Sequence, residues 1–326
     1  MVSLGYFLSS EEFTPSELLT QARWAEEAGF QRLWISDHFH PWNHTQGQSS
    51  FVWSMIGALS QVTSLPVTTA VTCPTVRTHP AVIAHAAATA AVLLDGRFVL
   101  GVGSGEALNE HIYGDRWPRA EVRLEMLAEA VEVIRKLFAG GVVNHDGRYY
   151  RVEHAELFTL PEQAPPIYVS GLAPRSSRFA GEIGDGYMTT MPDADLVRAF
   201  RDAGGGEKPA QGGLKACWAP DEASARRTVH ERWPNAALPG ELSQILPTPE
   251  HFEQASELVT EEQAAQTAIC GPDPDRHRER IQAYVDAGFD EVYVAQIGPD
   301  QRGFFDFYAE HVLPRFAPSQ LGGAIR

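Results

Sequence analysis

Short apolar runs alternate with longer amphipathic stretches along almost the whole chain. The apolar runs fall near 3–8, 31–36, 66–72, 97–103, 166–170, 186–190, 212–218 and 290–296, and they read as buried strands. Helical patterns separate them near 15–28, 50–63, 80–94, 120–138, 174–184, 193–203, 222–233 and 273–287, and a last helix closes the series near 303–315. Repeated strand–helix alternation forces right-handed crossovers and parallel strands. Eight such units point to a closed (β/α)8 barrel, with an open doubly wound sheet as the alternative.

Two segments break the rhythm. Residues Val142 to Val152 are strand-like around the Asp146-Gly147 turn, which predicts a hairpin insertion after the fourth helix. From Pro234 to roughly Glu262 the prolines Pro239, Pro247 and Pro249 interrupt helical fragments, which predicts a second insertion after the seventh strand, near the barrel mouth. No repeat or linker-like tract divides the chain, so residues 1–318 are expected to form one barrel domain and 319–326 a tail.

Composition narrows the function classes. The 326 residues are 44% hydrophobic and 21% charged, and their formal charge of −16 repels phosphate backbones and anionic lipids. Nucleic-acid and membrane roles are therefore disfavoured, and a small-molecule substrate fits better. Cys73, Cys217 and Cys270 are odd in number and widely spaced, which suits reduced thiols in a cytoplasm. No run reaches the length of a membrane span, and the chain opens on a strand where a secretory leader would carry a basic stretch and an apolar core.

In a barrel the chemistry sits just past the carboxyl ends of the strands. The richest such end is Ser36-Asp37-His38-Phe39-His40-Pro41-Trp42, which puts an acid, two imidazoles and an indole after the strand Arg32-Leu33-Trp34-Ile35. Imidazole exchanges protons near neutral pH, so His38 is a candidate base; taken alone, it is as readily an exposed loop residue. Asp37 and His38 alternate in direction if the strand continues, so both cannot face one pocket. Trp42 offers a broad face to a ring, and Glu106 stands beside the opening made by Gly101, Gly103, Ser104 and Gly105. Those glycines follow the fourth strand, not the first, which weakens a dinucleotide reading. They either let a flat ring or phosphate approach the backbone or serve close packing. Trp34, Trp53, Trp117, Trp218 and Trp233 read as packing residues, with Trp218 a candidate for the mouth. No nucleophile elbow, phosphate loop or zinc-protease helix occurs, and the His38/His40 pair lacks the further ligands that a metal site requires.

Taken together, these residues resemble the luciferase-like flavin and deazaflavin oxidoreductases, and within them the F420-dependent glucose-6-phosphate and secondary alcohol dehydrogenases. The resemblance rests on the 36–42 run, on Thr72 through Val82, on Gly101 through Glu110 and on Gly184-Asp185-Gly186. It implies a (β/α)8 barrel holding coenzyme F420, with FMN as the alternative, and a homodimer. By position it assigns His38 as base, Glu106 as proton donor, Trp42 as stacking residue and Glu11 as the acid orienting the histidine. It places Asp37, Ala70, Val71, Thr72, Cys73, Ser104, Gly105, Glu106, Asn109, Ser170, Gly171 and Leu172 around the cofactor, with a cis peptide at Ala70-Val71. No metal is implied. The expected activity is hydride transfer between a CH–OH carbon and the deazaflavin, with an FMN monooxygenase or a non-catalytic flavin-binding barrel as the alternatives.

One departure bears on the substrate. The sugar-phosphate enzymes hold phosphate with two lysines and an arginine, and by resemblance the lysine positions fall on Asp193 and about Gln254, with only Arg280 kept. Two missing cations remove most of a phosphate site, so glucose 6-phosphate is not expected as substrate. Arg77, Arg175 and Arg178 are the candidate cations for the anionic F420 tail.

Overall fold

The strands in chain order are β1 (Ser3–Leu8), β2 (Arg32–Ile35), β3 (Val67–Thr69), β4 (Phe98–Val102), β5 (Val143–Asp146), β6 (Arg151–Ala155), β7 (Ile167–Ser170), β8 (Gly186–Thr189), β9 (Ala210–Cys217), β10 (Ile269–Cys270) and β11 (Glu291–Gln296). This is a computed structural model that describes residues 2–316, so the expected tail 319–326 lies outside the described residues. Eight parallel strands run β1-β2-β3-β4-β7-β8-β9-β11 and return to β1. The β8–β9 and β1–β11 pairings close the cylinder and rule out an open sheet. The two-residue strand β10 flanks β9, with Ile269 beside Ala216 and Cys270 beside Cys217. It is too short to carry a periodic signal, and the sequence pattern did not show it.

Local chemistry explains where elements begin and end. The helix Pro15–Ala28 starts at a capping box between Thr14 and Glu17, with proline in its first turn, and stops at Gly29 with φ 101°. The helix expected to 203 ends at Phe200 and widens into a π-type turn, Arg201–Gly205, because Gly204 takes φ 108°. Strands β5 and β6 form the expected antiparallel hairpin, which runs to Ala155, beyond the expected 152. Glu129 of the helix Ala120–Phe138 accepts the backbone N–H of Tyr150 at 2.8 Å and so pins the hairpin turn. The 234–262 insertion folds as a 3-10 turn, Pro234–Ala237, followed by the short helices Leu242–Ile245, Pro249–Ser256 and Glu261–Ala265.

A stacked pair floors the barrel: Trp34 and Tyr293 lie 4.3 Å apart at 12°. The Trp34 indole donates to Gln211 Oε1 at 2.9 Å, Gln211 donates to Glu291 at 2.8 Å, and Glu291 pairs with Arg32 at 3.3 Å. Gly213 makes room for the stack, since a Cβ there would lie 2.4 Å from the Trp34 ring. Gly101 and Gly103 serve packing as well: added Cβ atoms would meet the Thr69 carbonyl oxygen at 1.9 Å and Val71 Cγ2 at 2.7 Å. Of the two alternatives for these glycines, close packing is the one the contacts support. Asp185 of the Gly-Asp-Gly run accepts the Ile167 N–H at 2.9 Å at the start of β7, a structural task.

Because the Gly101 neighbour is backbone, Gly101→Ala should cost about 3 kcal/mol of stability in urea titration. A loss below about 0.5 kcal/mol would show that the β3–β4 seam is looser than drawn.

Candidate active site

Strand β2 ends at Ile35, and the departing loop resolves the conflict between Asp37 and His38. Asp37 lies outside the cavity lining, in a buried ion pair with Arg77 at 2.9 Å, and it accepts the Thr72 hydroxyl at 2.7 Å. Arg77 also reaches Glu110 at 3.4 Å, while Glu110 accepts the backbone N–H groups of Arg77 at 2.7 Å and Val76 at 3.2 Å. Burial works against the Arg77 charge, but the two carboxylates outweigh it and raise its pKa further. Burial pushes Glu110 up to about 7, with the Arg77 N–H and charge opposing.

His38, by contrast, lines a cavity of about 350 Å³ at the carboxyl ends of the strands. Its Nδ1–H donates to the His40 carbonyl at 3.2 Å, which leaves Nε2 as the acceptor in the neutral ring. Nε2 lies 3.4 Å from Glu11 and 3.8 Å from Glu106, so a proton taken there sits between two carboxylates. Glu11 is held in turn by hydroxyl donors: Ser36 at 2.7 Å and Ser9 at 3.0 Å. Glu106 stands at the N-cap of the short helix Ala107–Glu110 but makes no cap bond. Its carboxylate takes the Asn109 side-chain N–H instead. Asn109 Oδ1 accepts the backbone N–H groups of Phe39 at 2.8 Å and His40 at 2.9 Å, fastening the β2 loop to the β4 loop. His40 Nδ1–H donates to the Leu108 carbonyl at 2.9 Å, so it serves the same seam. Trp42 packs on His38 with centroids 5.1 Å apart and rests on Phe252 of the insertion.

Of the residues singled out from sequence, Glu11, His38, Trp42, Ala70, Val71, Glu106, Ser170 and Leu172 line the cavity. The Ala70-Val71 peptide is cis. Asp37, Thr72, Cys73, Asn109 and Gly171 are buried around the cavity, and Ser104 and Gly105 lie half-buried beside Glu106. Gly171 packs so tightly that a Cβ would sit 2.7 Å from the Ser176 carbonyl carbon. Burial raises the Cys73 thiol, which marks it as an inert packing group. Trp218, read as packing with the mouth as its other possibility, packs on Phe307, whereas Trp34 and Trp233, also read as packing, line the cavity. Arg77 is consumed by Asp37 and Glu110, Arg175 pairs with Glu121 at 2.8 Å, and Arg280 lines a separate surface groove with Arg226 and Arg276. Phe7, Trp34, Ala70, Val71 and Met188 give the cavity an apolar wall; His38, Glu106 and Ser170 give it a polar edge. That donor set suits a flat ring with polar margins.

Lys215 was missed. It is half-buried on β9, lines the same cavity and stands 4.5 Å over the Trp233 ring. Burial lowers its pKa, against the attraction of Glu11 and Glu12. Its signal was the alternation Gln211, Gly213, Lys215, which puts all three on the inner face once Gln211 is known to point in. Glu12 is buried beside it: Oε1 has no hydrogen-bond partner, and the nearest cation, Arg232, is 4.0 Å away. Burial pushes Glu12 up to about 7.

A carboxyl group with a raised folded-state pKa stabilises the fold at low pH and loses that contribution as pH climbs from the unfolded value, about 4.5, to about 7. Glu12→Gln should therefore gain stability relative to the parent across that window, with a melting-temperature difference that grows from pH 5 to pH 8. A pH-independent difference would show that Glu12 carries no such cost.

Comparison with known proteins places these features in context. Residues 2–291 match the family model described as luciferase-like monooxygenase. An F420-dependent glucose-6-phosphate dehydrogenase from Microbacterium testaceum (strain StLB037) is 38% identical, with 95% of this chain and 96% of that protein covered. One from Beutenbergia cavernae is 35% identical, with 97% of each covered. An F420-dependent secondary alcohol dehydrogenase solved with an F420-acetone adduct superposes with a TM-score of 0.89 at 29% identity, covering 97% of this chain and 99% of that one.

Proposed function

Because the chain belongs to the luciferase-like family, we propose that it is an F420-dependent dehydrogenase or reductase that moves hydride between the CH–OH carbon of a small alcohol and C5 of the deazaflavin. The observation that carries this reading is His38 Nε2 between the Glu11 and Glu106 carboxylates on the wall of one cavity. When bound, F420 supplies the two-electron hydride acceptor. Ala70, Val71, Ser170 and Leu172 would line its ring, and Ser104 and Gly105 would lie towards its tail.

In this reading His38 Nε2 takes the substrate hydroxyl proton while its Nδ1–H stays on the His40 carbonyl. Glu11, fixed by Ser9 and Ser36, holds the imidazole in that orientation and stabilises its charged form. Glu106 exchanges a proton at its carboxyl oxygen, and Asn109 keeps that group beside the histidine. Trp42 covers the reacting carbon and excludes water. A cofactor carrier would not need this acid–base set, so the non-catalytic reading is set aside.

The relatives named as glucose-6-phosphate dehydrogenases do not fix the substrate here. Asp193 caps the helix Ala194–Phe200 at the surface, Gln254 is exposed, and Arg280 lies on another groove, so none of the three positions brings a cation to the cavity, and among the described residues Lys215 stands there alone. The protein is further proposed to be a single barrel domain over 1–318 and a cytoplasmic homodimer. Its three free thiols suit a reducing compartment, and light scattering in solution tests the dimer.

Fluorescence titration should show F420 binding and no comparable FMN binding; tight FMN with no F420 would favour the monooxygenase alternative. His38→Ala should keep F420 affinity within about threefold while kcat falls by about 10²–10⁴. Unchanged turnover would remove His38 from the mechanism. Glucose 6-phosphate should reduce F420 no faster than the background, and ordinary catalytic efficiency with it would reject this substrate assignment.

A further inference from the structure

Among the described residues Lys215 is the one lysine or arginine on the cavity wall, and no hydrogen bond or ion pair among them holds its ammonium. Strand alternation forces it inward: Gln211 hydrogen-bonds Trp34, Gly213 lies against the same indole, and Lys215 is the next residue on that face. Its register neighbour, Ala295 of β11, also lines the cavity and is too small to shield it.

The acids nearby do not complete it. Glu11 is committed through one oxygen to Ser9 and Ser36 and through the other to His38, and Glu12 is aligned with Arg232. Burial weakens the Lys215 cation, so its remaining support is the Trp233 face at 4.5 Å and the more distant pull of the two acids. A desolvated ammonium opening on a cavity is short of one anionic partner. We propose that the cavity takes an alcohol bearing a single carboxylate, with the carboxylate seated on Lys215 and the carbinol presented to His38. A lone ammonium without an arginine fork matches a monoanion and leaves a phosphate dianion undercompensated. The carbinol half of this proposal rests on the oxidoreductase reading; the anion seat does not.

Butyrate, which cannot be oxidised at a carbinol, is titrated by calorimetry into the cofactor-free protein. It should bind the parent, bind Lys215→Arg within about threefold, and bind Lys215→Met at least about tenfold more weakly, the value of one charge-assisted contact. In the F420-loaded enzyme the kcat/KM ratio of 3-hydroxybutyrate to 2-butanol, which share a carbon skeleton, should fall about tenfold or more in Lys215→Met, mainly through KM. Circular dichroism confirms that both variants fold. Equal butyrate binding by parent and Lys215→Met, or no binding by the folded parent, overturns the anion seat. An unchanged kcat/KM ratio in an enzyme that binds F420 and oxidises alcohols also overturns it. Butyrate binding that follows Lys215 in a protein that ignores F420 supports the seat while overturning the oxidoreductase reading.

Discussion

The buried guanidinium of Arg77 ties together the three loops that follow β2, β3 and β4. It pairs with Asp37 from the loop after β2 and with Glu110 from the segment after β4, while it belongs itself to the loop after β3. Burying these charges costs several kcal/mol each, and the arrangement persists because every partner is satisfied: Thr72 donates to Asp37, and two backbone N–H groups donate to Glu110. His38 follows Asp37 directly, and Glu106 lies one helical turn before Glu110. The distance between the imidazole and the second carboxylate is thus set by groups that never touch the cavity, with Asn109 as a second tie across the same seam. Pre-organisation of this kind is what acid–base chemistry at a shared site demands.

The proposed acid–base groups and the roof of the cavity come from different parts of the chain. The barrel rim supplies Glu11, His38 and Glu106, over a floor closed by the Trp34–Tyr293 stack. The roof is largely one insertion: Phe252 supports Trp42, Gln244 accepts from Arg123 at 2.9 Å, and Asn235 and Leu238 line the opening. A change of roof would alter what fits beside His38 without disturbing the Arg77 cluster. That separation explains why kinship to sugar-phosphate enzymes constrains the cofactor reading more than the substrate.

Much of this was legible in the sequence, and the rest was hidden for definite reasons. The barrel strands carry near-continuous apolar runs because helices cover one side and the packed interior the other, so the alternation was visible throughout. His38 and Glu106 stood out as polar groups at strand ends. Arg77 did not show its role, because its partners Asp37 and Glu110 lie 40 and 33 residues away, and no local pattern encodes such a pairing. Gly101 and Gly103 fitted ligand approach and close packing equally from sequence, and only the Thr69 carbonyl and the Val71 side chain in the space beside them decide for packing. Lys215 looked like one polar residue within a strand, and only the closure of the barrel determines which face it occupies.

The loop after β1 carries a carboxyl, outside the cavity lining, whose charge depends on pH and acts on Lys215. Glu11 and Glu12 are consecutive, yet they face different surroundings: Glu11 is saturated with hydrogen bonds, whereas Glu12 is buried with an unpartnered oxygen and is pushed up to about 7. Both act on Lys215. Below about 7 Glu12 is largely neutral, and Lys215 then answers to a single nearby carboxylate. Above it a second negative charge appears, shared between Lys215 and Arg232. The protein's overall charge of −16 adds a repulsion that salt screens beyond about 8 Å, so for the proposed anion seat the groups close to Lys215 count for more than the global field.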